Sequence, residues 1–430
     1  MYTIKNTMRL PRFIITVALA ASAVPTALSA ATNPVPDPTT ARTAGVAEQQ
    51  RLDAIAEELG DLADIVAGVK GVTGLGMVVV KDNRILLAKG AGVADVRTGA
   101  EVDADTVFRL ASLSKGFAAA VAAQLVREGV LRWDMLIQPW LPGFHLADNE
   151  DASRVTLRDL LSHRVGLPYN TLDRRLEADE PYPVLVEALQ NVPMNCPVGD
   201  CFGYQNIAFS LVGDLIFATT GSFYSFQVEK RLFDPLGMRT ATYGREALEA
   251  SGNWARPHVR RGGAMAVVSP KDTYYRVAPA AGINASATDL GQWLVAQLGG
   301  RLDVLPSEVL EELHAPVVAT PHEIRGTGWR RQRLRSASYG LGWRVMDYAG
   351  ERLIFHAGAV QGYRGMLGLL PDRGFGFAVV WNSESGVPAG LLPVALDRFL
   401  GLPAVDWLEL DKLEMRTATR PRPARPTRRR

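Results

Sequence analysis

Two periods of apolar and polar residues run along this chain. Residues 47–67 (AEQQRLDAIAEELGDLADIVA) place apolar side chains three and four apart, which predicts an amphipathic helix. Residues 74–81 and 85–92 are runs rich in β-branched and apolar residues, and Asp82-Asn83-Arg84 between them is a hairpin signal. Residues 112–128 form an alanine-rich helical pattern opened by a serine. From about 130 to 315, helical patterns and loops dominate. Four further β-rich runs follow, at 339–348, 351–357, 364–371 and 374–382, and then a helical pattern at 388–400. Strands therefore sit at both ends of the chain with a helical stretch between them. The economical arrangement is an α/β fold of the α+β sandwich kind. Early and late strands pair in one antiparallel sheet, terminal helices flank it, and a largely helical lobe is inserted. A cleft between lobe and sheet is the natural place for a site.

Composition narrows the class. With 47% hydrophobic and 21% charged residues in 430, the chain is globular rather than disordered or fibrous. The net charge of +2 conceals an uneven distribution. Residues 1–30 contribute +3 and residues 416–430 contribute +7, which leaves −8 for residues 31–415. An acidic body argues against a nucleic-acid partner. The first 30 residues have the form of a cleaved signal peptide: basic residues to Arg12, an apolar run over 13–24 ended by Pro25, then small residues. The run is short for a stable membrane span. The expected protein is thus secreted or periplasmic, with a flexible leader over 31–46, a folded body over 47–410 and a disordered Arg/Pro-rich tail over 411–430. The tail has no interleaved aromatics; it is expected to be solvated, with contact to an anionic cell envelope as the alternative.

Six scattered histidines show no metal-binding spacing, and neither a metal nor another cofactor is expected. The only cysteines, Cys196 and Cys201, bracket Pro197-Val198-Gly199-Asp200. In an oxidising compartment such neighbours pair, so a disulfide is expected, two buried thiols being the alternative.

Three short patterns carry chemistry. Ser112 and Lys115 are three apart, on one face of a helix, and a desolvated lysine there can serve as base to the serine. The bland alternative is a helix cap with a surface lysine, and one S-x-x-K per chain of this length is about what chance supplies. Tyr204, in Tyr204-Gln205-Asn206, can shuttle protons if held partly as phenolate, and Asn206 can hold a substrate carbonyl or orient the lysine. By itself it reads equally as a buried tyrosine with a satisfied hydroxyl. His356-Ala357-Gly358-Ala359 occupies a late strand, where Gly358 allows close approach and the N–H of Ala359 could join that of Ser112 as an oxyanion hole. The alternative is an ordinary strand.

In this order and context the three patterns resemble the serine β-lactamase and penicillin-binding-protein superfamily, specifically its class C branch with its peptidases and esterases. Residues 160–168 (LLSHRVGLP), 235–238 (PLGM), 281–283 (AGI) with 287–290 (ATDL), and 339–343 (YGLGW) are similar to the same branch, so the resemblance covers about residues 50–400. It implies Ser112 as nucleophile, Lys115 and Tyr204 as the acid–base pair, and Asn206, His356 and Gly358 as substrate-binding residues; His163 is taken as structural. It implies an acyl-enzyme mechanism on a small-molecule or short-peptide amide or ester. The β-lactamases carry Lys-Thr-Gly where this chain has His356-Ala357-Gly358, which disfavours a dedicated β-lactamase and favours peptidase or esterase activity. The alternative is a non-hydrolytic sensor or inactive relative that binds penicillin or peptidoglycan fragments. A Ser-His-Asp hydrolase would need G-x-S-x-G, which is absent.

Overall fold

The computed structural model describes residues 38–415 apart from position 327. The expected signal segment, the first part of the leader and most of the tail lie outside these. The chain divides into two units, 1–48 and 49–430, and the second holds the sheet and every candidate site residue.

A nine-stranded, wholly antiparallel sheet is the centre of that second unit. In chain order its strands are β1 (Gly74–Lys81), β2 (Arg84–Asp95), β3 (Ala100–Glu101), β4 (Val318–Ala319), β5 (Leu334–Tyr339), β6 (Arg344–Tyr348), β7 (Glu351–Val360), β8 (Tyr363–Leu370) and β9 (Phe375–Trp381). In space they run β3-β2-β1-β9-β8-β7-β6-β5-β4. The early–late pairing is the β1–β9 ladder, from Leu75 opposite Trp381 to Lys81 opposite Phe375. The β1–β2 hairpin turns on Asp82 and Asn83, both at positive φ, as a two-residue turn of matching twist requires.

The apolar run of β1 is explained by burial on both faces. Met77 and Val79 pack with Leu59, Ala63 and Val66 of α1 (Pro38–Gly68) and with Leu392 and Leu396 of α5 (Leu391–Leu400). Val78 and Val80 face the opposite way, toward α2 (Ser114–Arg127) and α4 (Ala287–Gln297). The strongly apolar α3 (Ile207–Thr220) lies buried in that second core. Among the described residues no single helix is long and apolar enough to cross a membrane.

Several expectations are corrected. Helix α1 already covers residues 38–46, inside the stretch expected as flexible leader. Residues 411–415, expected as tail, are packed on the body: Lys70 donates its N–H to Glu414 O at 2.7 Å, and Val69 bridges to Met415. The inserted lobe also carries short strands, at Phe108–Arg109, Thr242–Tyr243 and Ile283–Ala285.

The single run expected over 339–348 is the end of β5, a tight turn and the whole of β6. That turn locks onto the first turn of α2. Gly342, at φ +75°, donates its N–H to Leu161 O at 2.9 Å. A Cβ at Gly342 would lie 2.6 Å from Lys115 O, and one at Gly116 would lie 2.3 Å from the Trp343 indole. Trp343 cannot retreat, because it stacks on Trp293, which stacks on Phe117 at 3.8 Å. Gly116→Ala should therefore destabilise the protein. The gain in helix propensity is up to ~1 kcal/mol, while overpacking costs ~1–3 kcal/mol. Urea unfolding should show a lower midpoint; an equal or higher one would mean that Trp343 yields.

Candidate active site

Ser112 lies in the one-turn 3₁₀ segment Ala111–Leu113, which feeds directly into α2, rather than in the helix proper. Ala111 takes φ +49°, a conformation unfavourable for a residue with a Cβ. Lys115, in the first turn of α2, is completely buried. Its Nζ lies 3.3 Å from Ser112 Oγ, 2.7 Å from Asn206 Oδ1 and 3.2 Å from Ala280 O. The last two atoms can only accept. A neutral amine fits this set: two N–H bonds go to Asn206 and Ala280, and the lone pair is left for the Ser112 hydroxyl. Burial drives the lysine pKa well below its ordinary value; Asp173 opposes this and Arg344 adds to it.

Asn206 is held by Asp173, whose Oδ2 accepts from Asn206 Nδ2 at 2.7 Å. Tyr204 lies beside Lys115, with Nζ 4.7 Å from its ring centre. Burial pushes its phenol pKa up; Arg344, 5.4 Å from the ring, and the Ser112 side chain only partly offset this. The expectation of a partial phenolate is thus corrected: Tyr204 rests as a phenol, because desolvation outweighs the nearby positive charge.

The remaining motifs converge in a buried hydrogen-bond chain. Gln205 donates its N–H to His163 Nδ1 at 3.1 Å. This fixes the tautomer, so His163 Nε2–H donates to Tyr339 Oη at 3.2 Å. Tyr339 in turn donates to His356 Nε2 at 3.1 Å, and His356 Nδ1–H donates to Ala357 O at 2.8 Å. Burial keeps both imidazoles neutral, and the positive charge of Arg344 reinforces this. His356 was expected to bind substrate. The structure places it behind the pocket wall, wholly buried, where its ring nitrogens are spent on Tyr339, Arg344 and Ala357. Together His163 and His356 position the Tyr204–Asn206 segment against β7.

Gly358 was expected to admit substrate; in the structure its bare backbone admits the chain's own segment around Ser112. A Cβ there would lie 2.3 Å from Leu110 O and 3.2 Å from Ser112 N, so only glycine lets β7 pass this close to the nucleophile. Ala359 follows, and Ser112, Tyr204, Asn206, Gly358 and Ala359 all line a cavity of about 460 Å³. The cavity also takes in Asp173, Arg330 and Arg344, which sequence reasoning missed. An arginine set between Trp343 and the apolar pair Val345-Met346 was the one available signal for Arg344. The expected disulfide joins Cys196 to Cys201, with Cα atoms 6.2 Å apart. Among the described residues, no three His, Cys, Asp or Glu side chains gather as a metal site would require.

Because the neutral amine is the competent base, activity should rise with pH through the depressed Lys115 pKa. The acidic limb of kcat/KM should then fall far below the ordinary lysine value of about 10.4. Lys115→Arg, permanently charged, should fail as badly as Lys115→Ala. A limb near pH 10, or an active arginine variant, would contradict the base role. Tyr339→Phe strands the His163 donor, and should lower stability by ~1–3 kcal/mol in urea unfolding while Ser112 still accepts an active-site label. Unchanged stability would deny the chain its positioning role.

Comparison with known proteins agrees with this geometry. The family described as Beta-lactamase matches residues 52–398. Penicillin-binding protein 4 of Amycolatopsis lactamdurans is 29% identical over 303 residues, covering 68% of this chain and 76% of that one. Against the next curated relatives the chain spans 60% to 64% of their length. Among solved structures, the octameric penicillin-binding protein homologue from Pyrococcus abyssi aligns with a TM-score of 0.71 at 23% identity, over 80% of this chain and 77% of that one. The D-amino acid amidase from Ochrobactrum anthropi SV3 aligns with a TM-score of 0.64 at 21% identity, over 80% of this chain and 97% of that one. The chain belongs to the β-lactamase family and has the fold of its serine hydrolases.

Proposed function

We propose that the protein hydrolyses small amides or esters through an acyl-enzyme on Ser112. The observation that carries this is the fully buried Lys115, with two acceptor-only partners and its remaining valence toward Ser112 Oγ. Lys115 takes the hydroxyl proton as Ser112 attacks the carbonyl carbon. The oxyanion forms beside the N–H groups of Ser112 and Ala359, which a dry pocket makes effective. The Tyr204 phenol gives a proton to the leaving amine or alkoxide and is reprotonated from Lys115. Water then repeats the sequence in reverse to free the enzyme.

The favoured substrates are amides or esters of D-amino acids or short D-peptides, ahead of β-lactams. The support is the lack of the Lys-Thr pair on β7 and the likeness in fold to a D-amino acid amidase. We also propose export, which the Cys196–Cys201 disulfide supports, since such bonds persist in oxidising compartments. Contact of the tail with an anionic envelope belongs to the same proposal.

Ser112→Ala should abolish labelling by a fluorophosphonate and turnover of a p-nitrophenyl ester while leaving the unfolding curve intact, because nucleophile and base act as a unit. In the wild type, ester or D-amino-acid amide turnover should exceed cephalosporin hydrolysis. Residual hydrolysis by the alanine variant would sink the nucleophile assignment, and efficient cephalosporin hydrolysis the substrate order.

A further inference from the structure

Among the described residues lining the catalytic cavity, one buried side-chain polar atom has no partner: Asp173 Oδ1. Asp173 is 8% exposed. Its other oxygen is occupied by Asn206 Nδ2. The Tyr274 hydroxyl in the cavity wall lies near Asp173 and helps hold its carboxyl ionised, but it donates its one proton to Glu177 at 2.8 Å. An unsatisfied buried carboxylate oxygen is costly unless something arrives to pair with it. The arginines in the same cavity are already engaged. Arg344 donates to Glu323 at 3.0 Å and to His356 at 3.4 Å, Arg330 is paired with the same glutamate, and Arg364 donates to Val360 O at 2.6 Å.

Asp173 is also close to the chemistry. Hydrogen bonds lead from Ser112 Oγ to Lys115 Nζ, from there to Asn206, and from Asn206 to Asp173. A group bound at Oδ1 is therefore two side chains removed from Lys115, on the Asn206 side of the cavity. The aromatic faces of Tyr169 and Tyr204, whose ring centres are 5.6 Å apart, border the same space and suit a cation. Resting on the hydrolase reading above, we propose that Asp173 Oδ1 receives a free ammonium group on the acyl part of the substrate, so that the enzyme acts on aminoacyl amides or esters with an unblocked amine. Substrates whose amine is acylated lose this contact and leave the carboxylate unpaired, which makes the discrimination strong.

The test compares D-alanine p-nitroanilide with N-acetyl-D-alanine p-nitroanilide at neutral pH, in the wild type and in Asp173→Asn. Asparagine can still accept from Asn206 but carries no charge. The wild type should favour the free amine at least tenfold in kcat/KM. The variant should lose about 10- to 100-fold on the free amine, the scale of a hydrogen bond to a charged group. Any effect of the variant through Asn206 or Lys115 is shared by both substrates, so the loss on the free amine should exceed the loss on the acetylated substrate by at least about tenfold. Equal losses on both would reduce Asp173 to a positioning residue and overturn the proposal, as would a wild-type preference for the acetylated compound. Fluorophosphonate labelling of both proteins separates the two levels. Labelling at Ser112 without amine preference overturns the ammonium site alone, and a wild type that does not label overturns the hydrolase reading and the site with it.

Discussion

The site depends on burying a lysine that has no carboxylate against it. Removing an ammonium from water is so unfavourable that the group sheds its proton instead, and the fold then has to supply partners suited to an amine. Those partners come from different parts of the chain. Asn206 caps the start of α3, Ala280 lies in the short helix Ala278–Ala281, and Ser112 precedes α2. Each must arrive with its accepting or donating atom correctly turned. The Asn206 amide is oriented because its nitrogen is committed to Asp173, which leaves the oxygen for Lys115. The carboxylate thus acts on the base at one remove: near enough to oppose the fall in the lysine pKa, not near enough to hold the proton on it.

The same logic runs through the histidine chain. Burial, reinforced by the charge of Arg344, keeps His163 and His356 neutral, and each then has one donor and one acceptor nitrogen. Tyr339 between them makes the direction of every bond determinate. Three stretches that look unrelated in sequence, around 163, 339 and 356, meet in one polar network whose ends touch the Tyr204 loop and β7. Such a network resists displacement because breaking any link leaves a buried group unsatisfied.

Legibility in the sequence was a matter of range. The Ser112–Lys115 spacing is local and survives the shift from an α-helical to a 3₁₀ first turn, since both put residues three apart on one side. The β1 and β9 strands were visible because both faces are covered, which leaves an unbroken apolar run. The turn inside 339–348 was hidden because Gly340 and Gly342 sit in an otherwise strand-like stretch. The close approach of Gly342 to α2 depends on a contact more than two hundred residues away. His356 was misread for the same reason: its residue type fits a pocket, but its exposure is set by Tyr339 and Arg344 on neighbouring strands. Asp173 gave no local signal, since only the fold brings it to Asn206.

The disulfide shows how a weak constraint can serve a demanding site. It closes a loop of only a few residues, so its effect on the unfolded chain is small, roughly 2 kcal/mol at most by loop-closure entropy. Its surroundings are more telling. A Cβ at Gly166 would lie 2.4 Å from Cys196 O, and one at Gly203 would lie 2.1 Å from Leu167 O. Arg164 donates to Gly199 O, inside the disulfide loop, at 2.6 Å. The segment 196–203 is therefore laid directly on residues 164–167, which adjoin His163. Tyr204 and Asn206 leave that platform within a few residues, so little slack remains between the cross-link and the groups that face Lys115. A bridge that contributes little to global stability thus confines a loop whose displacement would draw Tyr204 and Asn206 away from the buried amine, and exposure to water would restore its charge and end its service as a base.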